Sequence, residues 1–363
     1  MNKKRLTIRD VANVAGCSIA TVSRVLNNSG PASTKTKDRV LAVASELGFS
    51  FNELGRSLQS QRSQTLGIIV PSLSNPVFAA AIEGAHSEAA AAGYQILLAC
   101  SNYDAKTEVQ AARTLLGKQI DGALATVAAP DQNPALRLLK AKGTPYCLIF
   151  NQSATSQPTV GVDNVAASQL AADMLLKAGH QQMAFIALRF SSSERARLRY
   201  EGFRRRLRQI GSPAPLLLEV NDDLFDLSLQ LEALLKNNPG ITALYASNDM
   251  LALEAMRTVR MLGLRIPQDI SLIGFDGIAL ADMVEPSLAT IATPNYEMGR
   301  RAASRVISAI ECNPFPAALH TTLPFEFRTG GSLGLADPKK LTSEQPLARQ
   351  HASPKIPVYK HEQ

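Results

Sequence analysis

No apolar run in this 363-residue chain approaches the roughly 20 residues that a bilayer-spanning helix needs, so no membrane partner is expected. Lys3-Lys4-Arg5 is not followed by the apolar core of a secretion signal, and the sequence reads as cytoplasmic. Four cysteines, Cys17, Cys100, Cys147 and Cys312, stand singly in apolar surroundings. Their spacing suits neither zinc nor a redox pair, which leaves buried thiols in a reducing compartment and no metal site. The five histidines are scattered, and His180 falls in a turn before a strand-like run. There is no phosphate loop, no Gly-x-Gly-x-x-Gly after a strand and no nucleophile motif, which argues against an enzyme and against a cofactor.

The charge that is present is unevenly placed. Residues 1–62 hold ten basic and four acidic side chains, a net +6, whereas the rest of the chain carries +1 of the total +7. A basic head on a near-neutral body points to a polyanion as the head's partner. The length allows two or three domains with sizeable cores.

The head, residues 1–49, reads as three short helices. Thr7 can cap the first, with Asp10 three residues on, and Val11, Ala12 and Ala15 form its apolar stripe. Gly16 breaks it and Ser18 is a natural cap for the second, where Val22, Val25 and Leu26 point inward. A helix over 34–47 places Val40, Leu41, Val43, Ala44 and Leu47 at core spacing and ends at Gly48. A helix, a tight turn and a second helix with a short, polar, basic outer face is how side chains are set against base edges in the major groove. Residues 50–64 form a polar hinge linker with little to bury.

From Leu66 onward strands alternate with helices. Strand-like runs fall at 66–70, 95–99, 122–126, 145–149, 159–162, 183–188, 216–220, 242–246 and 270–274, with helical stretches such as 77–92, 107–117, 166–178, 198–210, 226–236 and 249–262 between them. This alternation means parallel sheets wrapped by helices, and the length suits two sheets of about five or six strands. Ligands of such sheets bind beyond the carboxyl ends of the strands, so two facing sheets make a cleft. Residues 333–363, rich in proline and polar side chains and without a leucine heptad, read as a disordered tail.

Several motifs recur in a fixed order: Thr7-Ile8-Arg9-Asp10-Val11-Ala12, Thr21-Val22-Ser23-Arg24-Val25-Leu26-Asn27, Leu47-Gly48-Phe49, Arg56-Ser57-Leu58, Asn75-Pro76-Val77-Phe78, Val162-Asp163-Asn164, Gly179-His180, Arg199 with Gly202-Phe203, Asn248-Asp249, and Pro267 through Asp276. Over residues 5–332 this set resembles the lactose-repressor/galactose-repressor family of bacterial transcription regulators. The resemblance implies a small all-α helix-turn-helix head plus an α/β, periplasmic-binding-protein-like core of two parallel-sheet subdomains. The first would comprise 65–162 and 293–321, and the second 163–292 and 322–332.

The resemblance also implies roles for residues. Ile19 and Ala20 fall where the family reads bases, and an aliphatic pair suits thymine methyls. Arg24 is the candidate for a two-pronged guanine contact. Thr7, Ser18, Thr21, Ser23, Asn27, Ser33 and Thr36 match phosphate-contacting or capping positions, and the hydroxyls suit either task. Leu58 matches a leucine that wedges into the minor groove from a linker helix. The family's usual proline before Asn52 and alanine before Arg56 are Phe51 and Gly55 here, which predicts a linker helix that folds only on DNA.

For the cleft the resemblance carries over Phe78, Asn151, Arg199, Phe225, Asn248 and Asp276 as effector-binding positions, a set suited to a small polyhydroxylated ligand. Arg189, after the run 183–188, departs from the family's small residue there. With Ser191-Ser192-Ser193 it is either an anion site for a sugar acid or sugar phosphate or a solvated arginine in a charged loop holding Glu194, Arg195 and Arg197. The expectation is a homodimeric, effector-controlled repressor of a carbohydrate or sugar-acid operon, bound to a pseudo-palindromic operator. A corepressor-type regulator of biosynthetic genes and a small-molecule-binding protein without DNA function are the alternatives.

Overall fold

The computed structural model describes residues 6–26, 30–49, 62–152, 157–221, 227–311 and 320–336. Asn27, Phe51, Gly55, Leu58, Phe225, Cys312 and residues 337–363 lie outside the described residues.

In the head, α1 (Ile8–Ala15), α2 (Ile19–Leu26) and α3 (Thr34–Glu46) close around Val11, Ala12, Ala15, Val22, Val25, Val40 and Ala44. Each helix start has a local cause. Thr7 donates from its N–H and its hydroxyl to the Asp10 carboxylate at 2.8 and 2.7 Å. Ser18 Oγ accepts from Thr21 N–H at 3.1 Å and Ser33 Oγ from Thr36 N–H at 3.3 Å. Such caps contribute about 1 kcal/mol each. Gly16, with φ 61°, turns the chain between α1 and α2 through the left-handed conformation that glycine adopts without a Cβ clash. Leu41, expected in the core, is 53% exposed. The inward face of α3 follows Val40 and Ala44, four residues apart, and Leu41 lies about 100° around the helix from it.

The body contains two six-stranded sheets. The first takes β1 (Thr65–Val70), β2 (Gln95–Cys100), β3 (Gly122–Ala125), β4 (Tyr146–Ile149), β5 (Thr159–Gly161) and β11 (His320–Thr322), in the order β11-β5-β4-β3-β1-β2, all parallel. The second takes β6 (Met183–Leu188), β7 (Leu216–Val220), β8 (Ala243–Ala246), β9 (Ser271–Asp276), β10 (Ala289–Ala292) and β12 (Glu326–Arg328), in the order β12-β10-β9-β8-β6-β7. Only β12, on β10, runs antiparallel. The nine runs expected as strands are strands, within two residues at each end, and β10, β11 and β12 complete the sheets. Central strands such as β6 and β9 are buried along their whole length, as a sheet covered on both faces requires.

Helices α4 (Pro76–Ala91), α5 (Ala105–Gly117), α6 (Pro134–Ala141), α7 (Asn164–Lys177), α8 (Glu194–Gln209), α9 (Leu227–Asn237), α10 (Asp249–Met261), α11 (Leu280–Met283) and α12 (Asn295–Glu311) supply the crossovers and flanks. α4 and α12 approach until a Cβ on Gly84 would stand 1.9 Å from Tyr296 O and one on Gly299 1.8 Å from Ala81 O. The chain passes between the sheets after β5, after β10 and after β11. His180 is buried: Nε2–H donates to Gly334 O at 3.0 Å and the Thr242 hydroxyl donates to Nδ1 at 2.9 Å. Ala336 N–H bonds to Ala178 O at 2.8 Å. Residues 333–336, expected to begin a disordered tail, are therefore part of the folded body, because their backbone closes hydrogen bonds that the turn before β6 leaves open.

Candidate functional site

Helices that follow parallel strands begin at the carboxyl edge of the sheet, and here their first residues carry the caps. Asn75 Oδ1 accepts from Val77 N–H, Ser193 Oγ from Ala196 N–H and Asn248 Oδ1 from Leu251 N–H. The same edges of both sheets meet across one cleft. Its walls are Asn75, Val77 and Phe78 after β1, Tyr103 after β2 and Phe150 after β4 on one side. Leu188 at the end of β6, Ser193, Arg195, Ala196 and Arg199 after it, Ser247 and Asn248 after β8, and Asp276 at the end of β9 form the other.

At the cleft floor Arg199 is buried and bonded through Nε and Nη1. Nε donates to Asn164 Oδ1 at 2.8 Å, Nη1 to Ser247 O at 2.5 Å and to Asp276 Oδ1 at 3.5 Å. Its guanidinium lies 3.5 Å from the centroid of Phe275. Asp276 has φ 117° and Phe150 φ 70°, two side chains forced into the left-handed half of backbone space at strand ends that face the cleft. Phe150 meets Phe78 edge to face, with centroids 5.7 Å apart. Behind Asp276, Asp249 accepts from Gly277 N–H, Ile278 N–H and the Thr290 hydroxyl at 2.8, 2.9 and 2.6 Å. Burial raises the Asp249 carboxyl above the usual range and the neighbouring Asp276 raises it further. Burial raises Asp276 too, opposed by Arg199 and Arg195.

The rim joins the two subdomains. Glu194 Oε2 accepts from Asn151 Nδ2 at 3.1 Å and Oε1 from Gln152 N–H at 3.2 Å, while Glu194 N–H donates to Ala128 O at 2.9 Å. Asn151 is pinned to Val127 in both directions, Oδ1 to its N–H at 3.0 Å and Nδ2 to its carbonyl at 2.9 Å.

The structure thus brings together Phe78, Arg199, Asn248 and Asp276 of the expected set. Asn151 lies behind the wall as a tie between subdomains. Arg189 is exposed and does not line the cleft. Its carbonyl closes the turn into α8 by accepting from Ser192 and Ser193 N–H. The expected charged loop 189–197 is shorter, since α8 begins at Glu194 and buries Glu194 and Arg195. Arg195 was overlooked as a wall residue. A helix start at Ser193 would have placed it four residues from Arg199, on the same face.

On the head, Ile19, Ala20 and Arg24 are exposed along one side of α2, while Thr21 and Ser23 are half-buried. Thr7, Ser18 and Ser33 are exposed caps, and the Thr21 and Thr36 hydroxyls lie 2.9 and 2.8 Å from the Ser18 and Ser33 hydroxyls. Among the described residues no cluster of His, Cys, Asp and Glu could hold a metal, and no helix is long and apolar enough to cross a membrane. Burial pushes the Cys147 thiol up to about 12.

A helix-turn-helix with a free outer face, carried on the same chain as a two-sheet cleft, defines a DNA-binding regulator with a ligand-sensing body. Sequence comparison agrees. The description "Bacterial regulatory proteins, lacI family" matches residues 7–52, and "Periplasmic binding proteins and sugar binding domain of LacI family" matches 63–326. The transcriptional regulator DegA of Bacillus subtilis is 33% identical over 81% of this chain and 88% of its own. The ribose operon repressor of Halalkalibacterium halodurans is 32% identical over 85% and 91%. The Lac repressor dimer bound to operator and the anti-inducer ONPF superposes with a TM-score of 0.82 at 26% identity, covering 92% of this chain and all of that one. The chain belongs to the lacI family of bacterial regulatory proteins.

Proposed function

We propose that this protein is an effector-controlled repressor of genes for carbohydrate use, acting as a homodimer on a pseudo-palindromic operator. The observation that carries the reading is the pairing of exposed Ile19, Ala20 and Arg24 on α2 with a cleft floored by Arg199, Asn248 and Asp276. Ile19 and Ala20 suit thymine methyls and Arg24 a guanine edge, with the hydroxyls of Thr7, Thr21, Ser23, Ser33 and Thr36 setting register on phosphates. The relative named as a ribose operon repressor supports a carbohydrate as the signal. Leu97 and Leu98, exposed on the edge strand β2, support a second copy of the chain as the cover for that edge.

The effector controls the subdomain angle by binding one state better than the other, and an inducer must favour the state that releases DNA. Footprinting on a selected operator should show two half-sites about one helical turn apart. Light scattering should give the mass of a dimer. An asymmetric single-site footprint with a monomer mass would overturn the reading.

A further inference from the structure

Of the arginines on α8, Arg195 is buried without a carboxylate within 4 Å among the described residues; its neighbour Arg199 has Asp276. Its guanidinium offers five N–H donors, and among the described residues the one bond it makes is from Nη1 to Val127 O, at 3.4 Å. The carboxylates around it are turned elsewhere. Glu194 holds Asn151 and Gln152, Glu108 holds Ala128 N–H and Asn133 Nδ2, and Asp276 faces Arg199. They stabilise the positive charge without occupying its donors, which are left to the cleft that Arg195 lines. A second group on that cleft is in the same condition. Ser247 Oγ is buried and has no hydrogen-bond partner among the described residues. Buried donors are rarely left unmade, because each costs about 1–3 kcal/mol of desolvation.

A planar fork of N–H groups and one hydroxyl, on two different elements, match the oxygens of a carboxylate or phosphate better than an isolated sugar hydroxyl. We propose that Arg195 and Ser247 form an oxyanion subsite of the cleft, so that the effector carries a carboxylate or a phosphate. The inference rests on the cleft being the effector site. It leaves Asn248, Arg199 and Asp276 for the uncharged part of the ligand, and it places Arg189 outside the site on the exposed rim.

The test uses the full-length protein in calorimetric and thermal-melting titrations with inorganic phosphate, glucose, gluconate and glucose 6-phosphate, against chloride at matched ionic strength. Wild type should be stabilised by phosphate over chloride, and by gluconate or glucose 6-phosphate over glucose; whichever of the last two wins tells carboxylate from phosphate. Arg195→Gln should weaken the oxyanion response at least tenfold, Arg195→Lys should fall between, and Arg189→Ala should match wild type. Near-UV circular dichroism checks that the variants are folded. Equal stabilisation by glucose, no advantage of phosphate over chloride, or an unchanged oxyanion response in Arg195→Gln each overturns the proposal. Operator affinity of the same proteins without added probe tests the repressor reading separately, since its loss in wild type removes that reading while the subsite result stands.

Discussion

Glu194 and Asn151 bridge the two subdomains, Oε2 accepting from Nδ2 at 3.1 Å. Glu194 stands at the first turn of α8 and Asn151 just beyond β4, so the bond exists only while the carboxyl edges of the two sheets face each other. It is reinforced by Gln152 N–H on Oε1. Glu194→Ala leaves Asn151 Nδ2 and Gln152 N–H without these acceptors, which should cost this conformation about 1–3 kcal/mol relative to an open one. Small-angle scattering should then show a larger radius of gyration for the variant without effector. An unchanged radius would mean that the bond follows closure and does not hold it.

Arg199 is the residue on which the cleft floor depends. Arg199→Met should lower stability by about 3–5 kcal/mol, the usual consequence of stranding a buried carboxylate, here Asp276. It also removes the donors to Asn164 and Ser247 O. The double variant Arg199→Met/Asp276→Asn should recover part of that loss, because no buried charge is then left alone. Denaturant unfolding of the four proteins gives the coupling directly. Additive losses would mean that Arg199 acts through its bonds to Asn164 and Ser247 and hardly through Asp276.

These two residues also show how far the sequence could be read. Asn248 and Asp276 sit in strong local contexts, a helix start and a strand end, and the strand pattern already put them at one edge, whereas Arg199 came from the family resemblance. Phe78 follows Asn75-Pro76, a cap and a first-turn proline that place it on the cleft-facing start of α4. Glu194 and Arg195 were illegible for the opposite reason. A charged run looks solvated unless its partners are known, and those partners, Asn151, Gln152 and Val127, are some 40 to 70 residues away in the other subdomain. β10, β11 and β12 stood outside the nine expected runs, and length alone does not explain it, since β3, β4, β5 and β8 are as short.

The Asp249–Asp276 pair gives a pH dependence whose sign can be worked out. Both carboxyls are raised in the folded state, so the native protein binds more protons than the unfolded chain between the ordinary carboxylate range and the elevated values. Their contribution to stability is complete below that range and is lost as pH rises through the folded values, by up to about 1.4 kcal/mol per pH unit for each group. Asp249→Asn keeps the shape, since one amide oxygen can accept from Gly277 and Ile278 N–H while the Thr290 hydroxyl turns to accept from the amide. The variant should lose much of this decline and be the more stable protein at alkaline pH. His180 acts in the other sense, because burial lowers it, and its contribution is lost as pH falls below about 6.5. Melting curves from pH 5 to 9 on wild type and variant separate the two. Parallel curves would show that Asp249 keeps its charge throughout.

The linker gives the last prediction, from sequence alone. The family resemblance implies that Gly55 stands where an alanine is usual, just before Arg56-Ser57-Leu58. If Leu58 enters the minor groove from a helix that forms only on the operator, each linker must order itself at the moment of binding, and a glycine inside that helix raises the cost by about 1 kcal/mol over alanine. Gly55→Ala in both subunits of a dimer should therefore tighten operator binding by about 2 kcal/mol, or roughly thirtyfold. Fluorescence anisotropy at one fixed salt concentration measures it, because phosphate contacts make any affinity depend on salt. The same substitution should leave effector affinity in the absence of DNA unchanged if the linker orders only on the operator. Equal or weaker operator binding by Gly55→Ala would mean that the glycine serves the bound geometry itself, as a bend that lets Leu58 reach the groove.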